Sequence, residues 1–78
     1  MSEIFRAFGL IFVIYSDDHL PPHVHVWHGD GGCKISLTDL KVTDRPRCTL
    51  TKAQLRKALR LAEENRLLLL HEWERIHG

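Results

Sequence analysis

Between Arg6 and Tyr15 the chain reads RAFGLIFVIY, apolar except at Arg6 and Gly9 and rich in β-branched and aromatic side chains. A run this short, closed by the turn cluster SDDHLPP, predicts one strand covered on both faces. Pro21 and Pro22 cannot donate ladder hydrogen bonds, and Pro22 biases Pro21 toward extended backbone, so the chain is expected to leave the cluster already straightened. HVHVWH follows, then GDGG, then CKISLT. Alternating runs on either side of Asp-Gly predict a hairpin whose type I′ turn has Asp30 and Gly31 at its centre. Val24 then pairs with Leu37, Val26 with Ile35 and His28 with Cys33, while His23 meets Thr38, His25 meets Ser36 and Trp27 meets Lys34. The turn alone sets this register, yet it separates an apolar face from a polar one. A slip of a single residue would mix them.

The pattern weakens through DLKVTDRPRC, where Asp39 and Asp44 suggest turns, LKV a short strand, and Pro46 an edge or loop. From Thr51 the period changes to that of a helix. Thr51 with Gln54 fits a capping box, and no Gly or Pro intervenes before Gly78. Leu55, Leu59, Ala62, Leu69, Trp73 and Ile76 recur at three- and four-residue steps, while Arg66 falls where that stripe expects an apolar residue. Residues 52–77 as one straight helix would measure about 39 Å at ~1.5 Å per residue. A compact domain of this length has a radius of gyration of roughly 11–12 Å. The helix therefore breaks near EENR or projects beyond its sheet. LLLL, Leu67 to Leu70, covers most of a helix circumference, more than one sheet can bury. Leu67, Leu68, Leu70 and Trp73 are accordingly expected to form an interface, in a homodimer or with a small partner protein.

The pattern predicts a single α+β domain over residues 1–78. A small, mainly antiparallel sheet of three to four strands, within residues 4–50, packs against a long or broken helical segment over 52–77. At 78 residues the chain is near the lower limit for a self-sufficient core and invites a metal, disulfide or subunit staple. The 44% hydrophobic content is that of a globular protein. Eleven Lys and Arg against ten Asp and Glu leave no strong field for nucleic acid or an anionic membrane. Arg45, Arg47 and Lys41, with Lys52, Arg56, Lys57 and Arg60, could still form a local basic surface that touches phosphates. The apolar run Ala7–Tyr15 lacks the basic start and cleavage site of a signal peptide and is too short to span a bilayer. The expected location is cytoplasmic, with Cys33 and Cys48 as free thiols.

The candidate chemistry lies in HLPPHVHVWHGDGG, which holds four of the six histidines. Period-2 geometry puts His23 and His25 on one strand face, about 6.5–7 Å apart at Cα. Both imidazoles can reach one transition metal, and a zinc site needs at least one further protein ligand. Asp17, Asp18 and His19 are the local candidates; His71 or His77 would come from the helix. A second chemistry is acid–base catalysis on a phosphodiester, with His23 and His25 dividing the roles and Lys34 stabilising negative charge. Ser36 is a conceivable nucleophile, although no acid that would orient His25 is evident. His28 falls on the apolar face beside Cys33, as a partly buried histidine.

These residues also carry a resemblance. IFRAFGLIFVIYSDDHLPPHVHVWHGDGGCKISL, followed by LRKALRLAEENRLLLLHEWERI, resembles a family of small bacterial proteins of unknown function. Its hallmark is a tyrosine-containing strand, an acidic turn, H-x-P-P-H-x-H-V, and a C-terminal helix with E-N-R and a late Trp. The resemblance covers nearly the whole chain and makes His19, Pro21, Pro22, His23 and His25 hallmark positions. It implies no catalytic residue set. Members are commonly encoded beside another small protein, in pairs regarded as toxin–antitoxin-like modules. The resemblance therefore implies a module component acting through protein–protein association, with a histidine-dependent nuclease or phosphodiesterase, or a zinc-stapled binding module, as alternatives.

Overall fold

The computed structural model describes residues 2–78 as a five-stranded antiparallel sheet followed by two helices. The strands are β1 (Ser2–Ala7), β2 (Leu10–Ile14), β3 (His23–His28), β4 (Gly31–Ser36) and β5 (Val42–Thr43), each paired to its sequence neighbour. The expected three to four strands become five because RAFGLIFVIY is not one strand. It turns at Phe8 and Gly9, whose φ values of 55° and 76° are both positive, the condition a two-residue type I′ hairpin requires. Phe is an uncommon residue there, so the pattern hides the turn inside an apolar run.

The second hairpin sits two positions from its expected pairing. Gly29 and Asp30, not Asp30 and Gly31, are the loop, and His28 pairs with Gly31, Val26 with Cys33, Val24 with Ile35 and His23 with Ser36. Of the two loop residues only Gly29 has a positive φ, 56°, the pattern of a II′ turn with glycine first. Because the displacement is an even number of residues, every side chain keeps its face. The remaining local reasons favour this register. Trp27 lies across from Gly32, where a Cβ would collide with the indole, and Gly32 N–H donates to Thr49 Oγ1 at 2.8 Å. HLPP bends at Leu20 and Pro21, with a cis Leu20–Pro21 peptide, instead of straightening the chain.

The helical segment divides into α1 (Lys52–Glu64) and α2 (Arg66–His77). Thr51 and Gln54 form the reciprocal capping box at the start of α1. Asn65 ends it, with Nδ2 donating to Leu61 O at 2.9 Å, and its own carbonyl accepts from Leu69 N–H. A straight rod of about 39 Å would not fit a molecule whose longest extent is 33 Å and whose radius of gyration is 11.2 Å. Both helices cover the apolar face of the sheet. Leu10, Phe12, Ile14, Val24, Val26, Ile35 and Leu37 meet Ala58, Leu61, Ala62, Leu69 and Trp73 in one buried cluster. Arg66 is polar within the stripe for a reason: its guanidinium donates to Leu37 O at 2.9 Å and Thr38 O at 2.8 Å, closing the loop after β4.

Cys33 and Cys48, expected as free thiols, form a disulfide. The bond ties β4 to the end of the short 3₁₀ turn Arg45–Arg47. Sequence spacing alone did not bring them together; the return of the chain over β5 does. No helix is long and apolar enough to cross a membrane among the described residues.

Candidate metal centre

Asp18 organises the site. It closes a tight turn after β2, in which its backbone N–H donates to Tyr15 O at 3.1 Å and its Oδ2 accepts from Tyr15 N–H at 3.0 Å. That leaves Oδ1 aimed at the first residues of β3. His25 Nε2 lies 3.2 Å from it and His23 Nε2 lies 3.4 Å from it. All three side chains are largely covered, at 12% exposure for Asp18, 10% for His23 and 18% for His25. The donor atoms of the three residues lie within 4.8 Å of one another.

The protons can be placed by elimination. His23 Nδ1 lies 2.9 Å from the carbonyl oxygen of Pro21, which only accepts, so Nδ1 carries the hydrogen. In the neutral ring Nε2 is then a bare lone pair facing a carboxylate oxygen. Such a pair is stable only with a proton on Nε2 or a cation between the two atoms. A backbone carbonyl that holds the far nitrogen of a histidine is the usual outer support of a metal ligand. Burial pushes the His25 pKa down, further helped by His23 and Lys34, and this outweighs the hydrogen bond and attraction of Asp18. Burial pushes Asp18 up, but its hydrogen bonds from Tyr15 N–H and His25, with the attraction of both imidazoles, hold it below the usual carboxylate range. At neutral pH these shifts favour a neutral His25 and an ionised Asp18, the ionisation states metal ligands need.

Of the local candidates the structure brings in Asp18 alone: Asp17 and His19 are exposed, and His19 lies outside the group. His77 is engaged elsewhere, stacked on Trp73 with its ring nitrogens near Trp73 O and Tyr15 O. His71 is exposed on α2. Ser36 is buried beside His23 and its Oγ is bonded to Thr38 Oγ1, so it does not face His25. Lys34 is the residue opposite His25. The acid that was not evident in the sequence is Asp18; its signal was an Asp three residues after Tyr15, just past the end of β2, where a turn can fold its carboxylate back. His28 does not pair with Cys33: it sits across from Gly31, and its Nδ1 lies 3.1 Å from Gln54 Nε2. On α2, Leu67 is 83% and Leu68 44% exposed, Leu70 packs partly against the core, and Trp73 is buried at 3%. Arg56, Lys57 and Arg60 share one side of α1, and none of them borders the clefts at His23 and His25.

Two chemistries are open to this arrangement: holding one transition ion, or acting as an Asp–His pair in which Asp18 orients His25 as a base. Comparison with known proteins adds a family and no activity. A family described as Domain of unknown function (DUF4160) matches residues 9–74. No curated protein and no solved structure gives a significant match.

Proposed function

Since the chain belongs to the DUF4160 family, whose description carries no activity, function is argued from the site, and we propose that Asp18, His23 and His25 hold a divalent transition metal that activates water for hydrolysis. The observation that carries this reading is Asp18 Oδ1 set between two imidazole nitrogens at 3.2 and 3.4 Å. Zinc bonded to nitrogen or oxygen at roughly 2.0–2.1 Å in a tetrahedron separates its ligands by about 3.3 Å. Two edges of the donor set already have that length. The third would close by a swing of His25, the less covered of the two rings.

Zinc fits the two-histidine, one-carboxylate donor set, and a bound zinc would supply an acidic water at neutral pH. Three protein ligands leave one position for that water, the pattern of catalytic rather than structural zinc sites. Lys34, opposite His25 and bordering the cleft at Asp18 and His23, would supply positive charge to an oxyanion developing there.

Zinc titration by calorimetry tests the proposal. One equivalent is expected to bind to the wild type, and the melting temperature is expected to rise by about 10–20 °C when free zinc is some hundredfold above Kd. Asp18→Asn and His25→Ala should lose both effects, while His19→Ala should keep them. Hydrolysis of bis(p-nitrophenyl) phosphate should require zinc and Asp18. Absence of a zinc-dependent shift would end the metal reading.

A second reading is favoured by the exposure of Leu67 at 83% and Leu68 at 44%. There α2 docks a second copy or a small protein, in the manner of a paired toxin–antitoxin-like module. Light scattering of wild type and Leu67→Glu separates the two: association predicts a dimer or complex that the substitution dissolves.

A further inference from the structure

Beside the metal centre, on the polar face of the sheet, lies a cleft of about 370 Å³. It combines aromatic surface from Tyr15 and Trp27 with positive charge from Lys34 and Arg47. Trp27 is 39% exposed, yet its indole is fixed. Its Nε1–H donates to the Tyr15 hydroxyl at 3.1 Å, and its ring lies over Gly32. The His25 ring runs parallel to it, with 7° between planes and 6.4 Å between centroids. A rigid, partly open aromatic surface is thus held next to the proposed ion.

The charges beside it have little else to bind. Lys34 forms no ion pair among the described residues, and it also borders the neighbouring cleft at Asp18 and His23. Arg47, 86% exposed, has only an open contact with Asp44 at 3.5 Å, a type of pair worth little in water. A π surface flanked by a lysine and an arginine suits a ligand with a flat ring at one end and phosphate at the other. The small cleft and a formal net charge of +1 argue for one nucleotide unit, not for a duplex, whose binding rests on many phosphate contacts.

We propose that this cleft binds a single nucleotide unit, its base on Trp27 and its phosphate between Lys34 and Arg47. The free mononucleotide and the end of a single strand share this chemistry. Binding rests on the cleft alone; turnover of the phosphate would rest on the metal-centre reading.

The test is titration of the full chain with AMP in EDTA, followed by tryptophan fluorescence. Trp73 is buried at 3%, so the signal reports Trp27. Saturable quenching is expected, with adenosine and inorganic phosphate each weaker. Trp27→Ala and Lys34→Ala should each weaken AMP by about tenfold, Trp27→Phe should retain most of the affinity, and Arg60→Ala on α1 should bind as wild type. Hexa-adenylate binding more tightly than AMP identifies a strand end as the ligand; equal affinity identifies the free nucleotide. No saturable response, or inorganic phosphate matching AMP with Trp27→Ala unaffected, overturns the proposal. Zinc titration of the same samples keeps the two readings apart. AMP binding without zinc binding removes the hydrolytic centre and leaves the cleft, and zinc binding without AMP binding does the reverse.

Discussion

Asp18 and His25 make the isolated site sensitive to acid, and the sign is the same for both. The Asp18 pKa is lowered in the folded chain, so its contribution is present above the ordinary carboxylate value of about 3.9 and is lost as pH falls through the lowered one. His25 is also lowered, so its contribution is present above about 6.5 and is lost as pH falls through its own lowered value. Metal-free protein in EDTA is therefore expected to lose stability as pH drops below about 6.5, in urea midpoints taken across a pH series. His25→Gln should flatten the upper part of that profile. Gly9 is a second residue whose role is set by one angle. With φ at 76°, and with an added Cβ only 3.0 Å from His28 Nε2, Gly9→Ala should cost about 1–2 kcal/mol in the same measurement. Neither residue announces this in the sequence. Asp18 has an acidic neighbour and a histidine beside it, and only the turn hydrogen bonds to Tyr15 select it.

At the scale of elements, the strand and helix periods were legible because they record burial on one side. His23 and His25 share a face in any register displaced by an even number of residues, so that part of the site could be read from alternation. The partner of His25 could not. Both Gly29-Asp30 and Asp30-Gly31 satisfy a two-residue turn, and the choice between Lys34 and Ser36 opposite His25 rests on Trp27 needing a glycine across from it. Length left a broken or a projecting helix; the structure shows the break, and Asn65 provides its mechanism. Arg66 illustrates the limit of the period: an apolar position on the wheel is held by an arginine that caps two loop carbonyls. Arg66→Leu, which improves the apolar stripe, is expected to destabilise by about 1–3 kcal/mol by leaving Leu37 O and Thr38 O without these donors. Chemical denaturation checks that sign.

For the whole molecule, the disulfide is the main departure from expectation. Cys33–Cys48 spans a sequence separation of 15 and holds β5 and the Arg45–Arg47 turn against β4. Closing a loop of that length stabilises by about 3 kcal/mol in the chain-entropy account. Reduction with dithiothreitol, or Cys48→Ser, should lower the urea midpoint accordingly. A small domain is expected to recruit a staple, and here the disulfide supplies one, with Cys33 and His25 lining the same cleft.

By itself the sequence determined the α+β order of elements, the two faces of β3 and β4, the capped start of α1 and the choice between a broken and a projecting helix after it. Each follows from periodicity or from local backbone chemistry, which a reader of neighbouring residues can evaluate. Only the tertiary structure decided that Asp18 faces His23 and His25, that Trp27 rests on Gly32, that Cys33 meets Cys48, and that Trp73 is core while Leu67 is exposed. Those contacts depend on how turns and helices return the chain to the sheet. The distances that make chemistry are set by packing between residues that local patterns leave unrelated.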